Sequence, residues 1–192
     1  GGDGRAKSGG LELLNPGRRL ADAQGGALTA VVIGYQTEPA VKEAAAYGAD
    51  KIIVVDGPEY EHYTTDAYAD ALYALVTKYG PTTMMIGATN EGRDMGPRLS
   101  CRLKTGLTAD CTAVDYDEET GNIAWTRPTF GGNLMATIMC PEHRPQIGTV
   151  RPGVFKKGER NDDNQPEIIH EDIHIAADRI RTHVVEVIRE LN

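Results

Sequence analysis

The residues with the most chemical potential form one short run, Gly87-Ala88-Thr89-Asn90-Glu91-Gly92-Arg93-Asp94-Met95-Gly96-Pro97-Arg98. It follows the apolar stretch TTMMI and leads into the helix-like stretch RLSCRLK. In an open parallel sheet, ligands lie beyond the carboxyl ends of the strands, and this corner is at such an end. Asp94 or Asn90 is suited to cap the following helix, which puts Pro97 in the first turn. Free N–H groups in that turn attract an anion, and Arg93 and Arg98 would add charge-assisted bonds to phosphate. A plain tight turn with a solvated Arg93–Asp94 pair accounts for the same residues. The spacing matches neither G-x-G-x-x-G nor G-x-x-x-x-G-K-[ST].

A second unusual group comprises TGLTADCT, from Thr105, and TRPTFGGNLMATI, from Thr126. Gly131-Gly132 before an apolar run marks a bulge or a close backbone approach. Arg127, Arg144 and Arg151 each precede a proline, which favours extended backbone at all three. Trp125 and Phe130 offer flat apolar surface. Composition favours an irregular β-extension capping a sheet over a flavin or subunit surface.

Other chemistries find little support. Cys101, Cys111 and Cys140 contain no C-x-x-C pair, so zinc and iron–sulfur sites are not expected, and Cys111 and Cys140 read as small core residues in a reducing compartment. His170 and His174 are four apart, but β-branched neighbours argue against one helical face, so no metal site is expected. The net charge of −8 disfavours a polyanion such as nucleic acid. No apolar run reaches the roughly 20 residues that span a bilayer, and no signal-peptide pattern is visible; the cysteine usage fits a reducing, cytoplasmic compartment.

These candidates need elements to position them. LELLNPGRRLADAQGG reads as a helix with a Leu11, Leu14, Leu20 stripe, although Pro16 argues against one unbroken helix. The start, GGDGRAKSGG, has no core-forming residue. ALTAVVIGY, KIIVVDG and TTMMIGA read as buried strands, and EPAVKEAAAYGAD and 64–79 as helices. A helix from MGPRLSCRLK carries a Met95, Leu99, Leu103 stripe and a polar edge of Arg98 and Arg102. Alternation of strands and helices predicts a parallel sheet covered on both sides, with right-handed crossovers. From residue 107 to 129 the pattern becomes a hairpin, with Val114 and Tyr116 facing Ile123 and Trp125 across a Thr120-Gly121-Asn122 turn. NLMATIMC is a further strand, and HRPQIGTVRPG reads as proline-broken coil around a short extended piece. In the tail, Ile173, Ile175 and 180–187 read as strands, with a helix from Ala177 as the alternative.

LELLNPGRRLAD, GRDMGPRLSCRLKTGLTADCT and RPTFGGNLMATIMCPEHRPQIGTVRPGVF resemble the N-terminal domain of the α subunit of electron transfer flavoproteins. The match runs in order from about Leu11 to Phe155 and continues weakly beyond, with a tail over 156–192. The resemblance implies an α/β fold: a three-layer, Rossmann-like parallel sheet of the adenine-nucleotide α-hydrolase type, with an added β-hairpin extension. It implies pairing with a β subunit, FAD held mainly by an α C-terminal domain, and AMP or a second FAD on β. It also implies electron transfer from an acyl-CoA or other dehydrogenase to a quinone or ferredoxin-type acceptor. GLTADCT and FGGNLMATI look more like the electron-bifurcating branch, which would place the domain near a β-bound flavin and an NAD site. Carried over residue by residue, the cofactor-facing candidates are Arg93, Asp94 and Arg98 in the corner; Thr105, Gly106, Thr108 and Asp110 in TGLTAD; and Arg127, Gly131, Gly132 and Asn133 near the subunit interface. None is assigned a proton-transfer role, since the flavin carries the electron chemistry.

Two departures stand out. The family usually begins with an apolar strand before the segment matching DGRAKSGGLELL, and here only GGDGR precedes it. The glycine-rich C-terminal FAD-binding domain is absent after VIRELN. A fragment is therefore expected, one that does not hold FAD tightly by itself. The competing readings are a stand-alone adenine-nucleotide-binding module and an ATP pyrophosphatase. The second lacks the expected Ser-Gly-Gly loop, since VVIGYQTEP stands in its place.

Overall fold

Continuous β-branched runs make the strands, and alternation decides which face each side chain serves. The computed structural model describes residues 8–129, 131 and 134–174. The first half of the chain gives α1 (Ser8–Gln24), β1 (Thr29–Gly34), α2 (Glu38–Ala46) and β2 (Lys51–Asp56). It continues with α3 (Thr65–Tyr79), β3 (Thr83–Gly87) and α4 (Asn90–Arg102). The second half gives β4 (Leu107–Cys111), β5 (Ala113–Asp117), β6 (Asn122–Pro128), β7 (Met135–Ile138), β8 (Gln146–Val150) and β9 (Glu167–His170).

Among the described residues the strands form three three-stranded sheets, in the orders β1-β2-β9, β3-β8-β4 and β5-β6-β7. The first two are parallel and the third is antiparallel. This is the expected α/β class with parallel sheet, flanking helices and hairpin extension. In β2, Ile52 and Val54 join the core under α1 and α2, with Leu11, Leu14 and Ala44. Ile53 and Val55 join the core on the opposite face, with Leu72, Leu75, Met95 and Leu99 from α3 and α4. Period-two alternation in one buried strand thus serves two helical layers.

Two expectations about prolines are corrected. Pro16 lies inside an unbroken α1, where it is buried, and sheet packing outweighs the lost backbone bond. The short extended piece expected around Gln146 is more than a break in proline-rich coil: it is β8, buried at every residue and the central strand of its sheet. Likewise LTADC belongs to the parallel sheet as β4, and the hairpin begins only at Ala113. In that hairpin Val114 pairs with Trp125 and Tyr116 with Ile123, as expected.

After β9, segment 171–174 is strapped to α3 and its preceding turn instead of forming a strand. Tyr60 Oη donates to the Ile173 carbonyl at 2.8 Å, and Lys78 Nζ lies 2.6 Å from Glu171. Burial pushes the Tyr60 phenol up to about 12. The remaining tail, including Ile175 and 180–187, lies outside the described residues, as do residues 1–7.

Two aspartates fasten the layers at their corners. Asp50 accepts from Arg18 Nη1 and from the Leu28 N–H, each at 2.8 Å. Asp56 accepts from the Gln36 and Thr37 N–H groups and from Thr37 Oγ1, at 2.7–3.0 Å. The Arg18 hydrogen bond holds the Asp50 carboxyl below its usual range. At Asp56 burial acts the other way, but the Thr37 and Gln36 donors outweigh it. Both groups therefore stabilise the fold above the unfolded-state value near 4, and that contribution is lost as pH falls through the lower folded-state values. The urea midpoint should fall below about pH 4, and Asp56→Asn should flatten that acid limb. An unchanged limb in the variant would remove Asp56 from this role.

Candidate functional site

The corner after β3 is a strand-to-helix junction under steric control. Thr89, rather than Asn90 or Asp94, caps α4: its Oγ1 accepts from the Gly92 N–H at 3.1 Å. The helix begins at Asn90, so Pro97 falls in its interior, not its first turn. A Cβ at Gly92 would stand 2.0 Å from the Gly87 carbonyl oxygen, and one at Gly96 would stand 3.0 Å from Leu107 Cδ1. Glycine at 92 lets the first turn of α4 press onto the end of β3. At 96 it does the same for β4.

The charged residues of α4 are engaged with neighbouring elements. Arg93 Nε stands 3.3 Å from Asp110 Oδ1. That pair is close enough for ionic attraction, though it is not aligned as a hydrogen bond. Asp110 has φ 56°, interrupts the register of β4, and donates its N–H to Thr149 Oγ1 at 2.8 Å. Asp94 accepts from Thr65 Oγ1 on α3. Arg98 pairs with Asp66 and Arg102 with Asp70, giving two rungs between α3 and α4. The Arg102 guanidinium also lies 4.3 Å from the Tyr73 ring centre. Met95 and Leu99 are buried beneath, with Leu103 packed on the same core, as their stripe implied.

The sequence candidates divide between two edges of the parallel sheet. Arg93, Asp94 and Asp110 gather at its carboxyl end. Arg127, on β6, lies close enough to buried Cys111 to counter the rise of its thiol, which burial pushes up to about 11. Thr105 and Gly106 lie at the opposite, amino end of β4. Thr105 Oγ1 donates to the Pro145 carbonyl at 2.8 Å, and Gly106 adjoins Cys140 Sγ. Thr108 is buried inside β4, and its carbonyl faces the Cys111 thiol at 3.5 Å. Gly131 is exposed with φ 105°, in the β6–β7 connection. Gly132 and Asn133 lie outside the described residues.

Sequence reasoning missed the partners on α3, namely Thr65, Asp66 and Asp70. Asp66 and Asp70 have the same spacing of four as Arg98 and Arg102, and that match was legible. It also missed an apolar strip on the outer strand of the antiparallel sheet. Leu134 is 71% exposed and Met135 56%, with Ile138 and Met139 beside them. No group of three or more metal-ligating side chains occurs among the described residues. Nor, among them, is any helix long and apolar enough to cross a membrane.

Comparison with known proteins converges on one family. The electron transfer flavoprotein domain matches residues 1–175. The protein FixB of Clostridium saccharobutylicum is 48% identical over 93% of this chain and 53% of its own length. The electron transfer flavoprotein subunit alpha of Clostridium acetobutylicum is 47% identical over 97% of this chain and 56% of its own. The lactate dehydrogenase (NAD(+),ferredoxin) subunit LctC of Acetobacterium woodii is 38% identical over 94% and 43%. The chain thus spans about half the length of the curated relatives it matches. With its parallel sheet, hairpin extension and this match over most of its length, the chain belongs to the electron transfer flavoprotein family and is a domain of the alpha-subunit type.

Proposed function

We propose that this chain is the N-terminal domain of an electron transfer flavoprotein α subunit, and that it works by packing against a β subunit. The observation that carries this reading is the apolar strip of Leu134, Met135, Ile138 and Met139. It lies on β7, which pairs only with β6 among the described residues, opposite Arg127 and Pro128. Large exposed apolar side chains gathered on one edge strand favour an interaction surface, and the match to alpha subunits supports a β subunit as the partner class.

FAD is the cofactor of the assembled protein. The spaces beside Gly92 and Gly96 are filled by Gly87 and Leu107, and Arg93 and Arg98 already face Asp110 and Asp66. Arg93, Asp110, Arg127 and Gly131 form the rim toward the partner and its flavin or nucleotide, and Gly132 and Asn133 are assigned to it from the resemblance alone. Asp94 and Arg98 keep that rim in place by tying α4 to α3, and Thr105, Gly106 and Thr108 hold β4. Electrons pass between the bound flavins and an external dehydrogenase or acceptor, while this domain sets position and excludes water.

Mixing the chain with its cognate β subunit and FAD should give a stable complex on size exclusion with flavin absorbance. Met135→Lys, at an exposed position, should weaken the complex at least about tenfold, as expected for charge placed in the apolar centre of an interface. No complex with the unaltered chain would overturn the proposal.

A further inference from the structure

The strap after β9 is held down at three points, and they differ in kind. At its start the Glu171 N–H donates to the Val54 carbonyl at 2.9 Å, which carries the β9 pairing one residue further. The Glu171 carboxylate accepts from Lys78 Nζ and Tyr79 Oη of α3. In the middle, Ile173 packs on the core beneath α3 and α4, and its carbonyl accepts from Tyr60 Oη. At its end, His174 lies between two carboxylates. Nδ1 stands 2.8 Å from Glu59 Oε1, in the Pro58–Tyr60 turn before α3, and Nε2 faces Asp172 Oδ1.

The third anchor needs a proton that the other two do not. An ionised carboxylate only accepts, and a neutral imidazole carries one N–H, so it can serve one of its two neighbours and not both. The imidazolium donates to both. Glu59 is set in place for this by its own turn. A Cβ at Gly57 would stand 2.3 Å from Glu59 Oε1, the oxygen that faces His174. Gly57 is extended, with φ −173°, so glycine is needed there for space and not for backbone freedom. The Glu59 hydrogen bond, followed by that of Asp172, holds the His174 imidazole above its usual range, and these are the two charged groups that act on it. The other anchors keep their charge near neutrality. Lys78 holds the Glu171 carboxyl low, Glu171 holds Lys78 high, and the Tyr60 phenol is up at about 12.

We propose that His174 is a proton-operated latch, which pins the end of the 171–174 strap to the Pro58–Tyr60 turn when both ring nitrogens are protonated and frees it when one proton is lost. The freed end uncovers Ile173 and Tyr60, which is 1% exposed with the strap in place. A group whose pKa is raised by folding stabilises the closed form below its unfolded value of about 6.5, and that contribution is lost as pH rises through the folded value. The strap is therefore closed in mild acid and loosens as pH rises past the raised value. The latch belongs to this domain's own surface and does not depend on the proposed β-subunit partner.

Hydrogen exchange read by mass spectrometry on the full-length protein tests both halves of this. Exchange at the imidazole C2 position should give His174 a pKa above about 6.5. Amide exchange over 171–174, corrected for its intrinsic rate, should quicken at least about threefold across that same pKa, the scale set by exposed ion pairs. Amides of β2 should stay unchanged. His174→Gln should exchange fast at every pH, and His174→Lys, which keeps a cation throughout, should exchange slowly at every pH. Gly57→Ala, which pushes Glu59 aside without straining the backbone, should lower the His174 pKa. Corrected amide exchange that is flat with pH in the parent would overturn the proposal. So would a pH step that persists in His174→Gln, since another group would then be the one that titrates.

Discussion

Gly148→Ala is expected to lower the unfolding midpoint by roughly 10 °C, the shift that about 3 kcal/mol of overpacking produces in a domain of this size. Gly148 sits in the middle of β8, and a Cβ there would stand 2.2 Å from Trp125 Cζ3 and 2.3 Å from Cε3. Neither side can yield easily. β8 is hydrogen-bonded to β3 and β4 on its two sides, and the indole is 1% exposed among Cys111, Val114, Ile123 and Val150. Trp125→Leu should cost stability by itself, because it leaves a cavity. Combined with Gly148→Ala it should cost less than the sum, with a coupling of about 1 kcal/mol or more. Thermal melts of the four proteins measure this directly. A Gly148→Ala midpoint within a degree or two of the parent would show that the ring moves aside freely.

Gly92→Ala should have the second large effect. Its new methyl group would meet the Gly87 carbonyl oxygen, a backbone atom, at 2.0 Å. The first turn of α4 must then lift from β3, which loosens the Thr89 cap and shifts Arg93 away from Asp110. A loss of about 3 kcal/mol is expected, although alanine is the better helix former by nearly 1 kcal/mol. Gly10→Ala is the control: nothing stands within 4 Å of a Cβ at that helical position, so the propensity gain should appear alone. Denaturant midpoints for both variants separate the steric effect from propensity. Stabilisation at both sites would exclude the close approach.

These two glycines also show what the sequence discloses and what it withholds. β1, β2 and β3 and α3 were legible because continuous apolar runs and a single-faced stripe are local signals. The hairpin was legible because Val114, Tyr116, Ile123 and Trp125 alternate around a glycine turn. β8 was obscured by Pro145 and Pro152, which flank five buried residues without interrupting them. The start of α4 was obscured by Gly92 and Gly96, which read as turn residues but serve helix–strand contact. In the corner the residue types were legible and their partners were not. Arg98 and Asp66 are 32 positions apart, and only the packing of α3 on α4 brings them together. The apolar strip at Leu134 looked like any other strand, because exposure is a property of the sheet edge and not of the letters.

Trp125 is the chain's sole tryptophan, and it lies where the antiparallel sheet leans on the central strand of the parallel one. Nature has in effect installed a fluorophore at that seam. Its emission would report the hairpin peeling away from the domain and from the adjoining face of α1, an event that unwinds no helix and to which circular dichroism of the helices would be nearly blind.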